Sequence, residues 1–325
     1  MIKKVLFYFS LAVILFISDI AGAQERTVLS AQIYGYKGDM VYFDCVQTPL
    51  IRQEFYTNPG EEHLFAFDTD AMVCMLINGK TKVLLLPGDS VHVNIHYNGR
   101  NIDNIEFGGS DEAVKANRVL TDIDELKRNM RYKSQLLACA ALDVKPKERL
   151  NDSNVLHEKV ASLLATSGVN EEIAAYIMAG IESEVYISIM EYPVMYASVR
   201  GVSVDKQEIG NYWTLMDSVT LKNDCASLMN PEYSGMLMRY CFYCNEKSAQ
   251  EKGASYKMPG KLENMYAELA AFYTGAQRDA VLFNLLCNFI KNGQEIERAD
   301  ILYKDYISNH NKNEKYKQVL EAILQ

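Results

Sequence analysis

The chain has 325 residues, with 33 Lys+Arg against 42 Asp+Glu, 49% hydrophobic residues, 18 Gly and 7 Pro. That length suits about two domains with ample chain to bury a core, and the composition excludes a disordered or collagen-like chain. The net charge of −9 argues against nucleic acid as the main partner and against a polybasic membrane-surface binder, since both need concentrated Lys and Arg.

In chain order, the first element reads as an address. Lys3 and Lys4 precede an apolar run from Val5 to Ile17, followed by Ala21-Gly22-Ala23. A basic start, a short apolar stretch and a small-x-small site make up a secretory signal peptide, here residues 1–23. The run is short of the roughly 20 residues a helix needs to cross hydrocarbon, and Asp19 interrupts it. The expected mature chain starts near Gln24 and lies in the periplasm or cell envelope of a bacterium. It has no later run of 18 apolar residues, hence no expected membrane span.

From residue 24 to 109 the pattern alternates and turns often. Val28–Tyr34, Met40–Cys45, Ile51–Tyr56, His63–Phe67, Ala71–Ile77, Thr81–Leu86, Ser90–Tyr97 and Ile102–Phe107 read as about eight short strands. Close spacing of this kind predicts an antiparallel β-sandwich or barrel-like domain. Asn58-Pro59-Gly60 and Pro87-Gly88-Asp89 mark reversals by composition. Asn78-Gly79 predicts a two-residue hairpin, because both residue types tolerate the positive φ of a type I′ turn.

From 110 to 325 the chain reads as an all-α domain, giving an α+β protein. Ser110 is placed to cap a helix whose first turn holds Asp111 and Glu112, where carboxylates meet the positive dipole end. Pro146, Asn170-Glu171-Glu172 and Asn230-Pro231-Glu232 mark further starts. A long helix is expected over about 170–200, with Pro193 as the place where it would break. The last 65 residues read as three or four helices.

Chemistry-bearing candidates come out as follows. The seven cysteines are scattered rather than spaced as a disulfide framework, and five of them read as buried small hydrophobes. Cys241-Phe242-Tyr243-Cys244 alone has redox spacing. A catalytic pair of this kind needs its first thiol at a helix N-terminus, where the dipole favours thiolate. Here Cys241 falls about three turns into a helix that starts at Asn230-Pro231, on one apolar stripe with Tyr233, Leu237 and Tyr240, so a structural core role is favoured. Asn78-Gly79-Lys80-Thr81 ends like a phosphate loop, but position 74 is Cys where Gly is required and Thr81 opens a strand. His92 and His96 lie on one face of a strand, about 13 Å apart and too far to share a metal ion. His157-Glu158 lacks a second His, since position 161 is Ala, and Asp68-Thr69-Asp70 lacks the rest of a calcium loop. No enzymatic, cofactor or metal constellation emerges.

Several segments together carry a resemblance: Gln32-Ile33-Tyr34-Gly35 into Gly38-Asp39-Met40-Val41-Tyr42, Val83 to Val91, Ile105 to Ser110, Asn230-Pro231-Glu232-Tyr233, and Tyr303 to Lys317. With the leading segment, the chain resembles the N-terminal part of secreted thioredoxin-like (TlpA-like) thiol–disulfide oxidoreductases. In those proteins a small β-domain and a helical region precede a thioredoxin domain. The resemblance implies the non-catalytic half alone. Trp213 is not beside a Cys pair, and Cys241 and Cys244 do not match the family's Trp-Cys-x-x-Cys. The expected function is a non-catalytic secreted accessory protein that binds a protein partner or client, of which a thioredoxin-fold protein is one. The alternatives are a thiol–disulfide redox protein using Cys241 and Cys244, and a small-ligand or glycan binder using some of the 21 Tyr.

Overall fold

The computed structural model describes residues 24–58, 60–99 and 101–325. The signal-peptide reading therefore lies outside the described residues. Strands come first and helices follow, an α+β order. Two compact units divide the chain: one runs through Phe43 and resumes over Gln53–Val114, the other comprises Asp44–Arg52 and Lys115–Gln325.

The first unit holds two four-stranded sheets. One contains β1 (Glu25–Tyr34), β4 (Glu62–Thr69), β7 (Ser90–Asn98) and β8 (Asn101–Gly108), in the order β4-β1-β7-β8. The other contains β2 (Met40–Cys45), β3 (Arg52–Tyr56), β5 (Val73–Ile77) and β6 (Thr81–Leu85), in the order β3-β2-β5-β6. Neither closes into a barrel. Alternation sets the buried face: Leu29, Ala31 and Ile33 of β1 and Val91, Val93 and Ile95 of β7 are all within 2% of full burial. Rings from the two sheets meet, Phe43 of β2 lying 6.2 Å from Phe65 of β4.

One pairing departs from the antiparallel expectation. β1 pairs with β7 in parallel, Leu29 opposite Val91 and Ile33 opposite Ile95. Parallel neighbours need a long crossover, and the intervening β2–β6 segment provides it. The β5–β6 hairpin turns at Asn78-Gly79, with φ of 50° and 66°, as a type I′ turn requires. Asn78 also fastens the turn to β2, because its Oδ1 accepts from Tyr42 N at 2.9 Å.

The second unit is helical. It contains most of α1 (Asp111–Asn129), then α2 (Leu136–Ala141), α3 (Pro146–Ser167) and α4 (Glu171–Arg200). After two short 3₁₀ turns come α5 (Cys225–Leu228), α6 (Pro231–Glu251), α7 (Leu262–Phe272), α8 (Gly275–Lys291), α9 (Ile296–Asn309) and α10 (Glu314–Leu324). Side-chain caps fix several starts: Asn170 accepts from Ile173 N at 2.8 Å, and Asn230 accepts from Glu232 N at 3.0 Å. Gly201, in the left-handed region at φ 70°, ends α4.

α4 packs against α3, α5 and α6 and supplies the central apolar surface of the unit. Among the described residues it alone is long and apolar enough to cross a membrane, and 67% of its apolar window is buried inside the protein. The expected break at Pro193 does not occur. A proline removes one helical hydrogen bond and crowds the preceding turn. Here the Tyr212 hydroxyl donates to Met190 O just before that site, and Gln207 Nε2 donates to Pro193 O at 2.8 Å. Neither bond replaces the one lost at Ile189 O, but both tie α4 to the segment after Arg200, and the helix continues through Pro193 to Arg200.

Two glycines offer a test of the first unit. Gly35 has φ 69°, and a Cβ there would press into the Tyr97 carbonyl; Gly79 has φ 66° with open space around it. Gly79→Ala is expected to cost about 1 kcal/mol, the left-handed penalty alone, and Gly35→Ala about 2–4 kcal/mol because backbone overlap adds to it. Urea denaturation of both variants checks the difference; equal losses would contradict the close approach of β1 and β7 at this corner.

Candidate functional site

The redox-spaced pair lies on α6, which begins at Pro231 with Asn230 as its cap. Cys241 is thus about 15 Å along the axis from the N-terminus, beyond the first turn over which the dipole acts. Cys241 is 0% exposed, on the buried stripe with Tyr233 and Leu237, while Cys244 is half-buried. Both thiols are free.

The surroundings disfavour thiolate. Cys241 Sγ is 4.0 Å from the Glu268 carbonyl and 3.8 Å from Asn245 Nδ2. Burial pushes the Cys241 thiol up to about 12, and the Glu268 carboxylate and Cys244 act in the same direction. Burial also raises Cys244, against smaller opposing effects from the Tyr240 hydroxyl and Lys247. Glu268 itself is engaged, its Oε2 accepting from the Tyr256 hydroxyl at 2.6 Å and from Asn245 Nδ2 at 3.0 Å. Activated redox thiols titrate near or below 7, well below the raised value at Cys241. Trp213 is distant in sequence but packs on Tyr243, between the two cysteines, with ring centroids 5.5 Å apart, and lies 4.8 Å from the Tyr212 ring.

The other sequence candidates are separated by the fold. Lys80 and Thr81 belong to the β5–β6 hairpin, and Thr81 is buried at the start of β6. His92 Nδ1 is 2.7 Å from Ser30 Oγ and its Nε2 is 2.9 Å from Asn94 Oδ1, while His96 stacks on Tyr34 at 4.6 Å. Asp68 lies 3.6 Å from Arg26. His157 on α3 lies 3.8 Å from Glu182 of α4, which Lys222 approaches at 3.1 Å. No group of three or more His, Cys, Asp or Glu is placed to hold a metal ion among the described residues.

Two features were not signalled by any motif. Arg149 is 2% exposed and, among the described residues, has no carboxylate paired with it: Nε donates to Ser188 Oγ at 2.6 Å, Nη1 to Lys133 O at 2.8 Å, and the guanidinium lies 3.8 Å over the Tyr132 ring. A cleft of about 670 Å³ also opens at the start of α3, between Lys145–Asn151, Tyr196 of α4 and the Val202–Glu208 segment. The hint for it in the sequence is Lys145-Pro146-Lys147, a helix start carrying cations where anions are usual.

No protein-family model and no curated protein matches this chain.

The raised thiol gives a sign that can be checked. The unfolded chain loses the Cys241 proton near pH 9, whereas the folded chain holds it to about 12. Between those values the unfolded state binds fewer protons, so stability is fully present below pH 9 and falls as pH rises. Urea midpoints measured from pH 8 to 11 are expected to decline, and less steeply for Cys241→Ala than for the unaltered chain. Identical slopes would contradict the burial of this thiol in its neutral form.

Proposed function

We propose that the chain is a non-catalytic accessory protein of the cell envelope that binds a protein partner, with a thioredoxin-fold protein as the leading class. The observation that carries this reading is the packing of Cys241, the first thiol of the one redox-spaced pair, which is held in the interior on a mid-helix stripe with Cys244 half-buried beside it. The resemblance of residues 32–42, 83–91, 105–110 and 230–233 to the region preceding the thioredoxin domain in TlpA-like proteins supports the choice of partner. The address read from residues 1–23 supports export.

The β-part is read as a sandwich, with the two sheets facing each other through rings such as Phe43 and Phe65. A sandwich of open sheets leaves edge strands whose unpaired backbone groups can take up a partner's strand. β3 is such an edge. Four of its five residues are exposed, and Tyr56 at its end is 77% exposed. A thiol–disulfide redox protein is the competing reading, and the raised thiols weigh against it.

Two assays separate these readings. Purified residues 24–325, mixed with insulin and dithiothreitol, are expected to leave the rate of insulin reduction at the dithiothreitol background. Immobilised on beads, the same chain is expected to retain a thioredoxin-fold protein from envelope extract. Tyr56→Pro, which removes an outward-facing backbone donor at the end of β3, should weaken that retention, and Cys241→Ser with Cys244→Ser should leave it unchanged. Insulin reduction above background that disappears in Cys241→Ser would overturn the proposal, as would retention of no specific protein.

A further inference from the structure

β3 is an edge of its sheet, and its pairing with β2 shows which backbone groups point away from that sheet. Cys45 N donates to Ile51 O and Thr57 N donates to Asp39 O, both at 2.9 Å. The two strands are therefore antiparallel, and Ile51, Gln53, Phe55 and Thr57 turn their backbone groups toward β2. Arg52, Glu54 and Tyr56 direct theirs outward, and all three residues are exposed.

The outward row carries opposite charges two residues apart, Arg52 and Glu54. Such a row is complementary to itself. When a second β3 lies antiparallel with Gln53 opposite Gln53, each Arg52 stands opposite the other copy's Glu54, in pairs that exchange both of their backbone bonds. The next register in one direction sets Glu54 against Glu54, and in the other Arg52 against Arg52, and like charges directly opposite are unfavourable. The favoured register also brings Tyr56, 77% exposed, to the other copy's Leu50, 47% exposed. Arg52 lies 3.8 Å from Asp44 at the surface, a contact weak enough to be shared. The other edge strands lack this pattern. β4 carries Glu62 and Asp68, β8 carries Asp103 and Glu106, and β6 carries Lys82, so each holds formal charge of one sign.

We propose that two copies of this chain pair through β3 about a two-fold axis at Gln53, joining their β3-β2-β5-β6 sheets into one. The contact is closed, because each copy spends the same edge on the other. A five-residue strand makes a small interface, so the expected Kd is on the order of 10–100 μM. Self-pairing covers the edge that the proposed partner uses, so the two compete; in that respect the inference rests on the partner-binding reading.

The test is sedimentation equilibrium of residues 24–325. Arg52→Glu and Glu54→Arg, each alone, set like charges opposite each other in both pairs and should weaken the dimer about tenfold. Mixed in equal amounts, the two variants regain unlike charges in both pairs and should associate as tightly as the unaltered chain. Far-UV circular dichroism confirms that both fold. Gln53→Cys, made with Cys225→Ser to remove the exposed thiol, should link two chains under oxidised glutathione, because opposed Cα atoms in a non-hydrogen-bonded pair lie about 4.5 Å apart. Beads carrying that linked dimer should retain less of the thioredoxin-fold partner than beads carrying the reduced chain. A chain that stays monomeric to about 1 mM, a dimer indifferent to the charge reversals, or variants that fail to associate when mixed would overturn the proposal. If the chain is monomeric while a partner is still retained on beads, self-pairing fails and the partner-binding reading stands. If the dimer forms as described and no partner is retained, self-pairing stands and that reading fails.

Discussion

The helical unit depends on one constraint: a thirty-residue helix, buried along much of its length, must have its polar groups met without water. An unmet buried donor or acceptor costs on the order of 1–3 kcal/mol, so several such groups on α4 decide what its neighbours supply, although Glu182 Oε2 and Glu184 Oε1 are buried without a hydrogen bond. Ser183 Oγ donates to Glu232 O at 2.7 Å, which ties α4 to the first turn of α6. Ser188 Oγ accepts from Arg149, which ties it to α3. Met190 O and Pro193 O accept from Tyr212 and Gln207, which anchors the irregular segment after Arg200. Glu182, itself almost fully buried, is approached by Lys222. The helix is therefore the axis of the unit and also the reason its loops are placed where they are.

That arrangement determines the character of the cysteines. α6 packs against α4 and also against α7 and α8, and Tyr233, Leu237 and Cys241 fill its buried stripe, Cys241 lying against Glu268 O of α7. The Tyr273 hydroxyl closes over the same stripe by donating to Leu237 O at 2.6 Å. Cys241 serves there as a small hydrophobe. The same packing that holds α6 in place keeps its thiol protonated, and a thiol that ionises only at high pH is a poor nucleophile. That packing is what supports the proposed binding role over a redox one.

Much of this was legible from short-range signals. Asn170 and Asn230 announce helix starts because each carries a cap acceptor at the right offset. Asn78-Gly79 announces a hairpin because few residue pairs tolerate its backbone. The position of Cys241 relative to Pro231 already placed it outside the reach of the helix dipole. What the sequence withheld were effects of distant partners. The parallel β1–β7 pair joins strands separated by the whole second sheet, and no turn residue encodes a pairing of that range. α4 continues through Pro193, and the donors that meet its Met190 and Pro193 carbonyls, Tyr212 and Gln207, lie beyond the helix's own end. Arg149 looks like a surface residue until the Tyr132 ring and Ser188 are brought to it, and the cleft at Lys145 exists only once the Val202–Glu208 segment folds back beside α3.

The most direct measurement of the central claim is the pH dependence of iodoacetamide alkylation at Cys241 in the native chain, followed by mass spectrometry of the peptide that carries it. The account predicts that Cys241 stays unmodified through pH 8.5 while exposed Cys225 reacts, and that Cys241 becomes labelled only when the chain is unfolded. Half-maximal native alkylation of Cys241 below the free-thiol value of about 8.5 would contradict it.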